Sequence, residues 1–185
     1  PAPAAALPYS ACHGPVEHKL ALLRARGERV PTRRLIKNAA QIEGIRRAGQ
    51  ANSLVLDAVE KAICPGMTTQ EIDDIVTRET RALGGIPAPL NYEGFPKSVC
   101  TSVNEQICHG IPSDKVVLKE GDIVNVDCTT RLGGYYGDAS RMFCLGPVSP
   151  EAKRLVDVTA QSVELAISRL TPYCHLGDIG HYIYH

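Results

Sequence analysis

Apolar side chains recur at helical spacing from Asn38 onward, at Ile42, Ile45, Ala48, Leu54, Val55, Ala58, Val59 and Ala62. This predicts a helix reaching Ile63, stopped by Cys64-Pro65-Gly66. Thr68 followed by Glu71 is a capping-box signature, so a second helix opens there, carries Ile72, Ile75 and Val76 on one face and ends at Gly84-Gly85. Between Gly85 and Pro96, proline and glycine break the periodicity and predict a loop, an unusually aromatic one. The period then changes. Residues 98–103 and 122–131 have the β-branched content of strands, Gly133-Gly134 offers a tight reversal, and residues 135–145 return as the second arm of a hairpin. Ser149-Pro150-Glu151 starts a third helix, with apolar positions from Leu155 to Leu170 and a stop at Thr171-Pro172. Residues 176–180 read as the opening of yet another helix.

The hairpin carries the first chemical signal, because strand side chains alternate faces. Asn125, Asp127 and Thr129 share one face, and Val124, Val126 and Cys128 the other, so the strand turns polar groups to one side and apolar ones to a core. A two-residue reversal at Leu132-Gly133 sets Asp127 directly opposite Asp138, and a reversal one residue later sets the two diagonally. Either register brings the carboxylates to about 5–8 Å at Cβ. Like charges so close repel unless a cation lies between them, which makes this pair a candidate metal site. Asp is also common at the ends of turns, which is the purely structural alternative. His109, in Ile107-Cys108-His109-Gly110-Ile111-Pro112, is flanked by apolar residues, and spacing alone leaves it either a structural or a catalytic histidine.

Length and composition narrow the class. The 185 residues, 44% hydrophobic and 22% charged, suit one globular core. Twenty basic and twenty acidic residues cancel, so no overall field attracts DNA or an anionic membrane. No apolar run is long enough to span a bilayer and no basic-then-apolar leader opens the chain, which makes a cytoplasmic enzyme the default expectation. The seven cysteines are odd in number, scattered, without a CxxC pair, and read as reduced core thiols. Residues 1–37 read as an arm: a Pro/Ala-rich stretch over residues 1–10, expected to be mobile, and then a basic segment. Lys19, Arg24, Arg26, Arg29, Arg33, Arg34 and Lys37 there face only Glu17 and Glu28. Such a segment is either a solvated face or a contact for RNA or ribosome phosphates. Cys12-His13 is too small a set to enclose a zinc ion. Residues 38–185 form the expected catalytic portion.

Several segments taken together resemble one family. They are residues 91–105 (Asn-Tyr-Glu-Gly-Phe-Pro-Lys-Ser-Val-Cys-Thr-Ser-Val-Asn-Glu), Cys108-His109-Gly110-Ile111-Pro112, Gly121-Asp122-Ile123-Val124-Asn125-Val126-Asp127 and Gly137-Asp138-Ala139-Ser140-Arg141-Met142-Phe143. In order and spacing they resemble the type I methionine aminopeptidases from about Asn38 to Gly180. The resemblance implies an α+β fold of the pita-bread class, a curved antiparallel sheet flanked by helices, of which this chain would hold about the first half. It implies removal of the initiator methionine from nascent chains with two divalent metal ions, among which cobalt, manganese, iron, zinc and nickel all suit the donors. Asp127 and Asp138 match metal ligands, the second one bridging. His109 matches a residue that hydrogen-bonds the scissile amide region, and Tyr92, Phe95 and Cys100 match positions lining the methionine pocket. Two such ions about 3.5–4 Å apart lower the pKa of a shared water and neutralise a tetrahedral oxyanion.

The sequence also departs from that pattern. The family completes its metal site with a His and two Glu from its second half, and His175, His181 and His185 do not sit in the matching motifs. Glu93 stands where a His is usual, and Pro89 where a pocket Cys is frequent. The expectation is that the 185-residue chain alone holds metal weakly, is inactive and aggregates; robust peptide cleavage by it would overturn this. Two alternatives share the fold: a proline-directed aminopeptidase, which lacks the run from Tyr92 to Pro112, and a non-catalytic relative binding RNA or protein through the basic arm.

Overall fold

Alternation in one strand and a helical stripe in two helices generate the core. In the computed structural model, which describes residues 14–32 and 35–185, the chain divides into two units, Pro1–Ile42 and Glu43–His185. The first unit contains helix α1, Gly14–Ala25, inside the segment read above as an arm. Leu20, Leu22 and Leu23 follow no amphipathic period there, and the helix rests on the propensities of its Ala, Leu, Lys and Arg residues. Residues 1–10 and Cys12-His13 lie outside the described residues.

Helix α2 spans Ala39–Ala62 and opens with a reciprocal cap. The Gln41 amide N–H donates to Asn38 Oδ1 and the Asn38 N–H to Gln41 Oε1, both at 2.9 Å. Its buried stripe is Ala48, Ala51, Asn52, Val55, Leu56 and Val59. Ile42, Ile45 and Leu54, read from sequence as part of the apolar face, are exposed. Helix α3, Thr69–Ala82, carries the expected capping box: the Thr68 N–H donates to Glu71 Oε2 (2.7 Å) and the Glu71 N–H to Thr68 Oγ1 (3.2 Å).

The sheet has four antiparallel strands: β1 (Ile86–Pro87), β2 (Cys100–Val103), β3 (Ile123–Leu132) and β4 (Tyr135–Cys144). β3 is central, with β4 along one edge and β1 and β2 sharing the other. Residues 85–96, expected to be all loop, include β1 and a single 3₁₀ turn, Tyr92–Gly94. β3 buries Val124, Val126, Cys128 and Thr130 and leaves Asn125, Asp127 and Thr129 half-buried, the alternation anticipated from the sequence. The buried side packs against α2 and α3 in one cluster that includes Val55, Val59, Ile72, Val76, Val99 and Phe143.

Helix α4, Pro150–Arg169, starts at Ser149, whose hydroxyl accepts from the Ala152 N–H (3.1 Å), and α5, Gly177–Tyr184, packs on it. Among its residues only Ala166 is buried, and Leu155 and Ile167 remain 61% and 64% exposed. Among the described residues no helix is long and apolar enough to cross a membrane. Among the described residues, the reading of the cysteines as core thiols holds for Cys100 and Cys128, whereas Cys64, Cys108, Cys144 and Cys174 are exposed; Cys12 lies outside the described residues. Apolar neighbours in sequence did not imply burial there: Cys144 sits beside Phe143 but points to the opposite face of β4.

Candidate metal and peptide site

The hairpin turns at Gly133-Gly134, both at positive φ, so β3 and β4 pair with Thr129 opposite Asp138 and Asp127 opposite Ser140. Of the two registers open from sequence, this is the diagonal one, and it sets the carboxylates about 7–8 Å apart at Cα on the same face. The Thr129 hydroxyl donates to Asp138 Oδ1 at 2.9 Å. Asp127 is half-buried between β2 and β4, paired in register with Cys100 on its other side. Burial, and then the nearby Asp138 charge, push its carboxyl above the usual carboxylate range, and His109 pulls it back. Asp127 therefore gains from a cation more than an isolated surface Asp would.

Two glycines bring the remaining groups within reach. A Cβ on Gly137 would lie 2.2 Å from the Ala48 carbonyl oxygen, so β4 touches the backbone of α2 directly below Asp138. A Cβ on Gly110 would lie 2.0 Å from the Thr101 carbonyl oxygen. That close approach lets the Thr101 N–H donate to the Gly110 carbonyl (2.8 Å) and the Gly110 N–H to the Ser102 hydroxyl (3.2 Å). His109, at φ 57°, is thereby held beside β2. The loop carrying it is closed by Asn104, whose Nδ2 donates to Asp122 Oδ1 (2.8 Å) and whose Oδ1 accepts from the Ile123 N–H (3.0 Å).

The loop before β2 is fixed from α3. Asp73 accepts the Ser98 N–H at 2.7 Å, Thr77 donates to the Ser98 hydroxyl at 2.8 Å, and Lys97 reaches Gln70. With Ser98 anchored, Tyr92 and Phe95 project into a cleft of about 750 Å³. His109, Asp127, Asp138, Tyr92, Phe95 and Cys100 all line this one cleft. Burial first, then Asp127 and Cys108, push the Cys100 thiol up to about 11, so at neutral pH it is an uncharged wall and not a thiolate ligand. Thr129, placed from sequence on the polar face with Asp127, lines the cleft as well; sequence reasoning missed Ile111 and Tyr136, though Tyr136 shares the face of the two carboxylates and alternation was enough to find it. Asp73 and Asn104 gave no signal, since the groups they anchor, the Ser98 and Ile123 amides and the Asp122 carboxylate, are distant in sequence. His175, His181 and His185 do not line the cleft.

In kind, these donors fit a divalent cation: two hard carboxylates on adjacent strands, one destabilised by the other's charge. In number they are half a site, because among the described residues no three His, Cys, Asp or Glu side chains gather in a way that would hold a metal ion. The sequence model of metallopeptidase family M24 matches residues 43–185, which include every residue named in the cleft. The chain belongs to metallopeptidase family M24.

Within that family its similarity runs to methionine aminopeptidases. This M24 chain is 50% identical over 140 residues to methionine aminopeptidase A of Synechocystis sp., an alignment covering 76% of this chain and 55% of that protein. The crystal structure of methionine aminopeptidase from Rickettsia prowazekii superposes with a TM-score of 0.77 at 44% identity, over 80% of this chain and 59% of the other. Prolidase from Pyrococcus furiosus shares the fold, with a TM-score of 0.69 at 19% identity over 81% of this chain and 43% of that one. The α+β architecture is therefore that of the pita-bread fold. The chain spans about half the length of the curated relatives it matches.

Proposed function

We propose that the protein removes the initiator methionine from nascent polypeptides, with this chain supplying Asp127 and Asp138 to a site for two divalent metal ions. The observation that carries the reading is the convergence of both carboxylates, His109 and the aromatic loop on one cleft. When bound, the metal ions would supply an activated water and electrophilic assistance at the peptide carbonyl. This chain's own residues do the rest. Asp127 and Asp138 would hold the cations, with the Thr129 hydroxyl orienting Asp138 through its 2.9 Å hydrogen bond. Tyr92, Phe95 and the uncharged Cys100 thiol form an apolar wall suited to a flexible thioether side chain. His109, fixed by the Gly110 contacts, offers an imidazole N–H to the scissile amide region.

The donor set admits manganese, iron, cobalt, nickel or zinc. A ribosome contact through the basic segment between Lys19 and Lys37, and action in the cytoplasm, belong to the same proposal. The support for the ribosome contact is the seven basic side chains gathered there on a chain of zero formal net charge. The test is release of free methionine from a Met-Ala peptide by the complete protein. Release is expected with divalent metal, is lost on chelation and returns on adding metal back; release that survives exhaustive chelation, or none with any of the five metals, would contradict the proposal.

A further inference from the structure

The mechanism above leaves one charged group of the cleft without a task. Glu93 lines it, is exposed, and makes no hydrogen bond or ion pair among the described residues. Its backbone lies at φ 49°, ψ 31°, followed by Gly94 at φ 85°, with Asn91 two residues earlier also left-handed at φ 66°, a conformation that side-chain-bearing residues seldom adopt. Three backbone hydrogen bonds hold the turn: Asn91 N–H to Phe95 O (2.8 Å), Tyr92 N–H to Pro89 O (3.0 Å) and Phe95 N–H to Tyr92 O (2.9 Å). The carboxylate is thus presented from a fixed turn, between the two aromatic residues of the apolar wall.

The charge balance of the cleft gives this residue its consequence. Among the described residues its acidic lining groups are Glu93, Asp127 and Asp138, no Lys or Arg lines it, and His109 is its one basic side chain. Asp127 and Asp138 are assigned to the cations, so Glu93 is the one acidic lining group left free to meet a charge on the peptide. A peptide with its methionine against Tyr92 and Phe95 runs outward at about 3.3 Å per residue. Its second and third residues therefore pass within about one Debye length, ~8 Å at physiological salt, of that turn.

We propose that Glu93 makes this cleft select methionyl peptides that carry a basic side chain in the first residues after the methionine. The inference rests on the methionine-removal reading and adds a substrate class to it. An exposed ion pair of this kind predicts a preference of about two- to five-fold, weakened by salt.

The test compares Met-Ala-Lys-Ser with Met-Ala-Glu-Ser on the complete, metal-loaded protein, reading both peptide affinity and kcat/KM for methionine release. The expected basic-to-acidic ratio is about two to five. It falls toward one in Glu93→Gln, is retained in Glu93→Asp, and declines in the unmodified protein between about 50 mM and about 500 mM salt. An equal ratio in wild type and Glu93→Gln, with methionine still released, overturns this inference and leaves the hydrolase reading standing. So does a Glu93→Gln protein that loses affinity for both peptides alike, the result for a carboxylate that holds the common α-ammonium group. A basic preference in affinity that disappears in Glu93→Gln while no methionine is released supports the charge selection and overturns the hydrolase reading.

Discussion

Asn52 is a polar side chain in the middle of the buried face of α2, 1% exposed, and both ends of its amide are used. Its Nδ2 donates to the Cys128 carbonyl and its Oδ1 accepts from the Thr130 hydroxyl, each at 2.9 Å. Cys128 lies between Asp127 and Thr129, so this amide fixes the stretch of β3 that presents the first carboxylate and the hydroxyl that orients the second. Removing it leaves a buried carbonyl and a buried hydroxyl without their partner, at about 1–3 kcal/mol. Asn52→Ala is expected to lower unfolding stability in urea by that amount and to weaken metal binding as well. Unchanged stability would show that water replaces the amide and that the network does not set the strand.

At the scale of elements, the capping box of α3 has a pH signature. The Thr68 backbone N–H, then its hydroxyl, hold the Glu71 carboxyl below the usual carboxylate range. A group whose folded-state pKa is depressed contributes stability that is present above its unfolded pKa and disappears as pH falls through the folded one. Glu71→Ala is therefore expected to be less stable than wild type at neutral pH, with the gap closing as pH drops below the ordinary carboxylate range. A gap independent of pH would mean that the cap acts through packing alone. Boxes of this kind are legible in sequence because both partners are local, and so were α2, α3, α4 and the hairpin, whose periods are local too. The hairpin register was only narrowed to two choices, since Leu132-Gly133 and Gly133-Gly134 are both plausible reversals; the positive φ available to both glycines decides for the second. The anchoring of Ser98 by Asp73 and of Ile123 by Asn104 was not legible, because neither periodicity nor composition records a hydrogen bond between residues far apart in the chain. The placement of Glu93 on a left-handed turn escaped for the same reason: the conformation is imposed by the closure of residues 89–95 and not by the side chain.

Across the whole molecule, one face of the sheet is committed to packing against α2 and α3 and the other is left to chemistry. Arg141 of β4 ties the packed face down by bridging Asp57 (2.9 Å) and Glu60 (2.6 Å) of α2. Gly137 adds a contact too close for any side chain, so Asp138 projects from a strand held rigidly from behind. On the other face, Asp127 and Asp138 stand next to one another, and, after burial, Asp138 raises the Asp127 pKa while His109 lowers it. The account turns on the claim that these two carboxylates converge on the same divalent cations. The most direct measurement is the number of metal ions retained per chain by the complete protein, wild type against Asp138→Asn, by elemental analysis after dialysis. Two ions in the wild type and a loss of at least one in the variant are predicted; equal retention in both would contradict it.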